Sequence, residues 1–147
     1  MLRSLTLFAV MCFMSLLLTT TANAEQKQSI GKYDIHYMAI DSTFLTPEIA
    51  KHYGLTRSQY NGIINISVLD TSKEGNPSAA VEIHGVAKNL LQASQTLTFK
   101  EIREGGAIYY IAELPFRDEQ QTNFSISIRR GNELNTRLEF SHKFYIN

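Results

Sequence analysis

Four histidines, His36, His52, His84 and His142, are the side chains best suited to proton transfer or metal ligation, yet no two stand three or four positions apart. That spacing is what brings two imidazoles to one face of a helix, so a metal site here would have to be gathered from separate strands. Cysteine cannot complete one, because the single cysteine, Cys12, lies in the N-terminal apolar run, and Met38 is the one methionine beyond that run. No G-x-S-x-G, H-E-x-x-H, phosphate-cradling glycine loop or dinucleotide fingerprint occurs. Carboxylates cluster at Glu101 and Glu104, with Lys100 and Arg103 interleaved, and at Asp118-Glu119. Mixed sign in turn-rich sequence is the pattern of a solvated surface, while a hydrolytic carboxylate pair needs a tertiary separation that spacing does not supply. Three or more of His36, His52, His84, His142, Glu101 and Glu104 converging in one concave pocket would turn the reading toward catalysis or metal binding.

Residues suited to contact are easier to place. The stretch TFLTPEIAKHYGLTRSQYNG, residues 43–62, opens with helix-start chemistry: Thr46 as cap, Pro47 at the first helical position and Glu48 at the positive end of the dipole. Gly54 supplies the stop. Two turns are too few to hold a helix alone, so it must dock, with Ile49 and Tyr53, four apart, facing the rest of the protein alongside Phe44, Leu45 and Leu55. Glu48, Lys51 and His52 then face water. Beyond the stop, Arg57 and Tyr60 stand on a connection longer than a hairpin needs. The segment is either a plug for an open end of the strands or a display of contact residues. Tyr109 and Tyr110, adjacent in a strand, must point to opposite faces, one to the core and one to the surface. The candidate binding residues are therefore His52, Arg57, Tyr60, Tyr109 and Tyr110; no catalytic residue, metal ligand or cofactor is assigned.

Around this segment the period is two. Tyr33, Ile35 and Tyr37 alternate with Lys32, Asp34 and His36, and Ile64, Ile66 and Val68 alternate with Asn65, Ser67 and Leu69. AAVEIHGVA reads as a third strand and TLTFKEI as a fourth. Glu104-Gly105-Gly106 turns the chain into AIYYIAELPF, which makes the fourth and fifth strands a hairpin. NFSISIRR follows, and RLEFSHKFYI closes the chain with Leu138, Phe140, His142, Phe144 and Ile146 on one face. EQKQS, at 25–29, reads as a loose polar lead-in. These elements predict an all-β fold, an immunoglobulin-like antiparallel β-sandwich of about seven strands with one short helix between the first two strands. A closed barrel is the alternative, since periodicity yields faces and not closure.

The first 24 residues, MLRSLTLFAVMCFMSLLLTTTANA, carry Arg3, an apolar run from Leu5 to Leu18 and an Ala22-Asn23-Ala24 cleavage pattern. They read as a secretory signal peptide, leaving 25–147 as a single domain of the periplasm, built without disulfides and with no integral membrane span. Without Arg3, the 14 basic residues become 13 against 14 acidic ones, a balance that gives no footprint for nucleic acid.

The segments FLTPEIAKHYGLTRSQYNGIINISV, AKNL and EIREGGAIYYIAELPF resemble an uncharacterised family of small exported Gram-negative proteins, classed as a domain of unknown function. The likeness runs over nearly all of 25–147. That family brings no established activity or catalytic residue. More loosely, the series of strands, G-N-P turn and tyrosine-bearing hairpin is similar to small immunoglobulin-like periplasmic domains, which implies fold only. Together these readings favour a non-catalytic binding or interaction module for an unknown envelope protein or cell-envelope component. The alternative is an envelope-acting hydrolase or metal-binding protein with a site assembled from separate strands.

Overall fold

The computed structural model of the protein describes residues 26–146; the leader assigned to 1–24 lies outside them. The strands are β1 (Gln26–Ile30), β2 (Tyr33–Asp41), β3 (Asn61–Asp70), β4 (Glu82–Asn89), β5 (Ser94–Leu97), β6 (Lys100–Glu104), β7 (Ala107–Pro115), β8 (Gln120–Arg130) and β9 (Leu134–Phe144). A 3-10 turn, Ser42–Phe44, and one helix, α1 (Pro47–Tyr53), lie between β2 and β3. The strands form two antiparallel sheets, ordered β1-β2-β3-β7-β6 and β5-β4-β8-β9.

Nine described strands replace the expected seven, for two reasons. The polar lead-in is β1, paired with β2 from Gln26 opposite Tyr37 to Ile30 opposite Tyr33. It lies at the edge of its sheet and is held by Lys27 and Ser29, which both donate to Asp34. A strand that buries neither face has no apolar alternation to reveal it. The expected strand TLTFKEI is two strands, one in each sheet. β5 ends at Leu97 and β6 begins at Lys100, so the chain crosses from one sheet to the other over Thr98 and Phe99. Gly85 makes room for this crossing: a Cβ there would sit 3.0 Å from the Phe99 ring and 3.1 Å from both Ile126 and Leu97.

The core follows the expected parity. Tyr33 and Ile35 of β2, Ile64, Ile66 and Val68 of β3, Ile108, Tyr110, Ala112 and Leu114 of β7, Phe124, Ile126 and Ile128 of β8 and Leu138 and Phe144 of β9 form one buried cluster drawn from both sheets. Aromatic rings cross between the sheets, Tyr37 meeting Phe140 at 4.8 Å between centroids. The tightest crossing is at Gly62 of β3. A Cβ placed on it would lie 2.5 Å from Cε1 of Phe144, whose side chain is wholly buried and also stacks on Phe116 at 4.6 Å. Bare backbone at Gly62 is what lets that ring approach β3 so closely.

Gly62→Ala is expected to lower unfolding stability by about 1–3 kcal/mol through overpacking against Phe144. Gly106→Ala, at a turn position where an added Cβ meets nothing within 4 Å, is the control expected to change little. Urea unfolding of the two variants checks the difference; equal midpoints would remove Gly62 as a packing constraint.

Candidate functional site

β2, β4, β7 and β9 run toward one end of the sheets, and β3, β5 and β8 leave from it, as their registers require. The connections opening there hold 42–60, 90–93, 116–119 and the residues after β9. Every exposed large hydrophobic side chain among the described residues belongs to them. Leu91 is 87% exposed, and Leu90, Phe44, Tyr60, Tyr145 and Ile49 lie between 44% and 70%. The turns at the opposite end hold ion pairs instead: Lys32 with Glu133 at 2.9 Å, Lys32 and Lys73 with Asp70, and Arg130 with Glu133. The protein is thus polarised along its strands.

The β4–β5 connection is a tight one. Asn89 Oδ1 accepts from the backbone N–H groups of Leu91 and Ala93, and Gln92 takes a left-handed φ of 62°. Such a loop has no interior, so both leucines face out. Beside it, residues 117–121 close a groove of about 440 Å³ that Leu90 and Leu91 help to line. The same β7–β8 connection ties in the rest of the rim. Phe116 N–H donates to the Tyr60 carbonyl at 2.9 Å, and Asp118 accepts from Ile146 N–H at 2.9 Å, next to Tyr145.

The 42–60 segment leaves this end, lies over the outer face of the five-stranded sheet and returns. Thr46 caps α1 by accepting from Ile49 N–H at 3.2 Å, and Gly54 ends it at φ 64°, as expected. Its docking face differs from expectation. Ala50 and Leu55 are the buried residues, while Ile49 faces out; Tyr53 is half-buried, its hydroxyl bonded to Glu104. Lys100 donates to the Tyr53 and Gly54 carbonyls, satisfying the helix C-terminus from β6, and Glu113 accepts from Thr56 N–H at 2.6 Å and Asn61 Nδ2 at 2.9 Å. A helix this short is held by its ends, so a small residue that permits close approach serves better than a large one. The segment therefore overlies a sheet face rather than plugging the strand ends.

The candidate residues separate accordingly. Tyr60 is exposed at the rim and His52 is exposed on α1. Arg57 is exposed in part but occupied, donating to the Leu45 carbonyl at 2.9 Å and to the Thr43 carbonyl at 3.3 Å. Tyr109 is half-buried on the outer sheet face and Tyr110 is in the core, so the expectation that the pair divides between surface and interior holds at the residue level. The Tyr110 hydroxyl accepts from Val81 N–H and donates to Glu101; burial pushes its pKa up. Tyr110 is therefore not available to a partner.

Beneath the rim is a pair that sequence reasoning did not single out. Asp41, the last residue of β2, is buried, and His142 of β9, in the other sheet, is half-buried; each acts on the other electrostatically. Burial raises the Asp41 pKa against the pull of His142, and burial lowers the His142 pKa against the pull of Asp41. The imidazole meets the Phe144 ring edge-on at 4.6 Å. His36 and His84 lie on different sheets, and among the described residues no three of His, Cys, Asp and Glu are grouped to hold a metal ion.

Residues 27–147 match the family described as a domain of unknown function, DUF4426. The chain belongs to that family. A DUF4426 family protein from Pseudomonas aeruginosa PAO1 superposes with a TM-score of 0.72 at 30% identity, over 84% of this chain and 96% of that one. FetP of uropathogenic Escherichia coli strain F11, expressed in the periplasm of E. coli, is similar at a TM-score of 0.56 and 11% identity, over 83% of this chain and 94% of FetP. A copper-bound variant of FetP is similar at 0.56 and 12%, over 82% and 95%. At such identity these two likenesses bear on fold alone. No curated protein matches the sequence.

Two outcomes test the site's construction. Arg57→Ala is expected to cost about 1 kcal/mol and to raise amide exchange over 43–58, because two carbonyls lose a charged donor; unchanged exchange there would mean the guanidinium holds nothing. His142 is expected to titrate below 6.5 by NMR, and Asp41→Asn to move that midpoint further down by removing the carboxylate that favours imidazolium. The unfolded chain binds that proton more readily, so the His142 contribution to stability is full above pH about 6.5 and falls as pH drops toward the lowered folded value. A midpoint raised by Asp41→Asn would overturn the pairing.

Proposed function

We propose that this DUF4426 protein is an exported, non-catalytic binding module of the cell envelope, and that the apolar rim at one end of its sheets is the contact surface. The observation that carries the reading is the sorting of exposed side chains: large apolar groups in the connections at one end, ion pairs in the turns at the other. Connections on a rigid scaffold are where contact residues concentrate, and exposed apolar side chains gathered on one side of a small domain are a usual mark of an interaction site. Tyr60 belongs to this surface from the original candidates, while Arg57 supports it by holding the segment that carries Phe44. Export to the periplasm is supported by the n-region, apolar run and Ala-x-Ala pattern of the first 24 residues, and by the absence, among the described residues, of a helix long and apolar enough to cross a membrane.

We further infer that the two sheets pack as an immunoglobulin-like sandwich, with β5 and β6 joining them along one side. Their shared hydrophobic cluster supports this arrangement. The competing reading, a hydrolase or metal-binding protein, draws support from no grouping of donors beyond the pair Asp41 and His142.

Site-specific photocrosslinking in living cells tests the contact surface. A photoreactive phenylalanine at Leu91 or Tyr60 is expected to give discrete adducts, and the same group at Glu74, in a turn at the opposite end, is expected to give none. Adducts formed equally from both ends, or from neither, would reject the rim as a contact surface.

A further inference from the structure

Resting on the reading of the rim as a contact surface, we propose that its partner is a lipid bilayer, entered by the Leu90–Leu91 tip and steadied at the interface by Phe44, Tyr60 and Tyr145. Two observations favour lipid over a protein groove. The apolar side chains stand on separate connections, with Leu90 and Leu91 on the tip of a loop that Asn89 holds tight. A bilayer accepts separated tips without demanding a matched surface, whereas protein contacts concentrate their energy in one packed central cluster. The accompanying residue types suit an interface. Lys143 Nζ lies 5.2 Å from the Tyr145 ring centroid, and amphipathic tyrosine and lysine tips at the edge of an apolar surface are what headgroup depth favours.

The ion-paired turns at the opposite end could not take the rim's place, since Lys32, Asp70, Lys73, Arg130 and Glu133 would all lose water on entering lipid.

Charge in the connections at this end is balanced, with Lys51, Arg57 and Arg117 against Glu48, Asp118 and Glu119. The attraction is therefore apolar, and it should change little with salt or with the fraction of anionic lipid.

The protein contains no tryptophan, so Leu91→Trp supplies a single indole reporter on the mature chain, 25–147. Vesicles of phosphatidylethanolamine with phosphatidylglycerol, and vesicles of phosphatidylcholine alone, are both expected to shift its emission to the blue, and brominated lipid to quench it. Glu74→Trp, at the opposite end, is expected to show neither effect. In vesicle flotation, Leu90→Ser with Leu91→Ser should lower the partition coefficient of the otherwise native chain by about a hundredfold, by removing two apolar side chains from the buried tip. Because both leucines are solvent-exposed, the unfolding midpoint should stay unchanged. No emission change at Leu91, or an equal change at Glu74, overturns the lipid assignment. A protein adduct captured at Leu91 in cells together with a null vesicle result would leave the contact surface standing and remove lipid as its partner. An adduct to a second copy of this chain would likewise replace lipid with self-association.

Discussion

The Phe144 ring lies against the bare backbone of Gly62, and the placement of nearly everything at the rim depends on that contact. β3 and β9 belong to different sheets and share no hydrogen bonds, so only side-chain packing fixes their separation at this end. Gly62 is opposite Asp41 in the β2–β3 register, and Phe144 is opposite Gln120 in the β8–β9 register. One ring therefore sets the distance between the place where the 42–60 segment begins and the place where the β7–β8 connection ends. Phe116, stacked on the same ring, carries the backbone N–H that holds Tyr60. A larger residue at position 62 would force the ring out and shift both connections together, since close-packed interiors transmit displacement rather than absorb it.

Much of this was readable from the amino acids because two-residue alternation reports a strand with one wet and one dry face. Ile64, Ile66 and Val68 alternate with Asn65, Ser67 and Leu69 in sequence, and all three of the apolar residues are buried. The helix was readable because its ends carry dedicated chemistry in Thr46, Pro47 and Gly54. β1 was not, because an exposed edge strand buries neither face and so shows no alternation. The sheet-crossing at Thr98 and Phe99 was missed for a related reason: the pattern TLTFKEI stays strand-like while the partner strand changes from β4 to β7, and pairing partners leave no local trace.

The site was less readable than the fold. Tyr60 is conspicuous as a tyrosine on a long connection, and it is exposed there; Arg57 stands on the same connection, where its guanidinium donates to the Leu45 and Thr43 carbonyls, a use that leaves no trace in sequence. Leu90 and Leu91 were passed over inside a connection, although two adjacent leucines between a lysine-asparagine pair and a polar stretch are themselves unusual there. Parity could have found the pair Asp41 and His142. His142 had been placed on the same face as Leu138 and Phe144, and counting from Tyr33 by twos reaches Asp41 on the inward face of β2.

The position of Asp41 and His142 bears on how the rim is held. A buried carboxylate and a half-buried imidazole each lose hydration, and the directions of their shifts show burial outweighing mutual attraction for both. Apolar residues of similar volume would pack there at lower cost, as Ala39 and Phe140, two residues away on the same strands and partly buried, do against the core. What the polar pair supplies in exchange is an attraction between the last residue of β2 and β9 that an apolar contact would lack. Asp41 leads at once into Ser42, whose hydroxyl both accepts from Ser58 N–H and donates to the Ser58 carbonyl at 2.9 Å, closing the base of the 42–60 excursion. The chain thus passes from the end of β2 directly into a pinned loop base. Phe44 and Tyr60 can be left exposed on such a loop without collapsing onto the core, because the backbone that would have to move is tied on both sides.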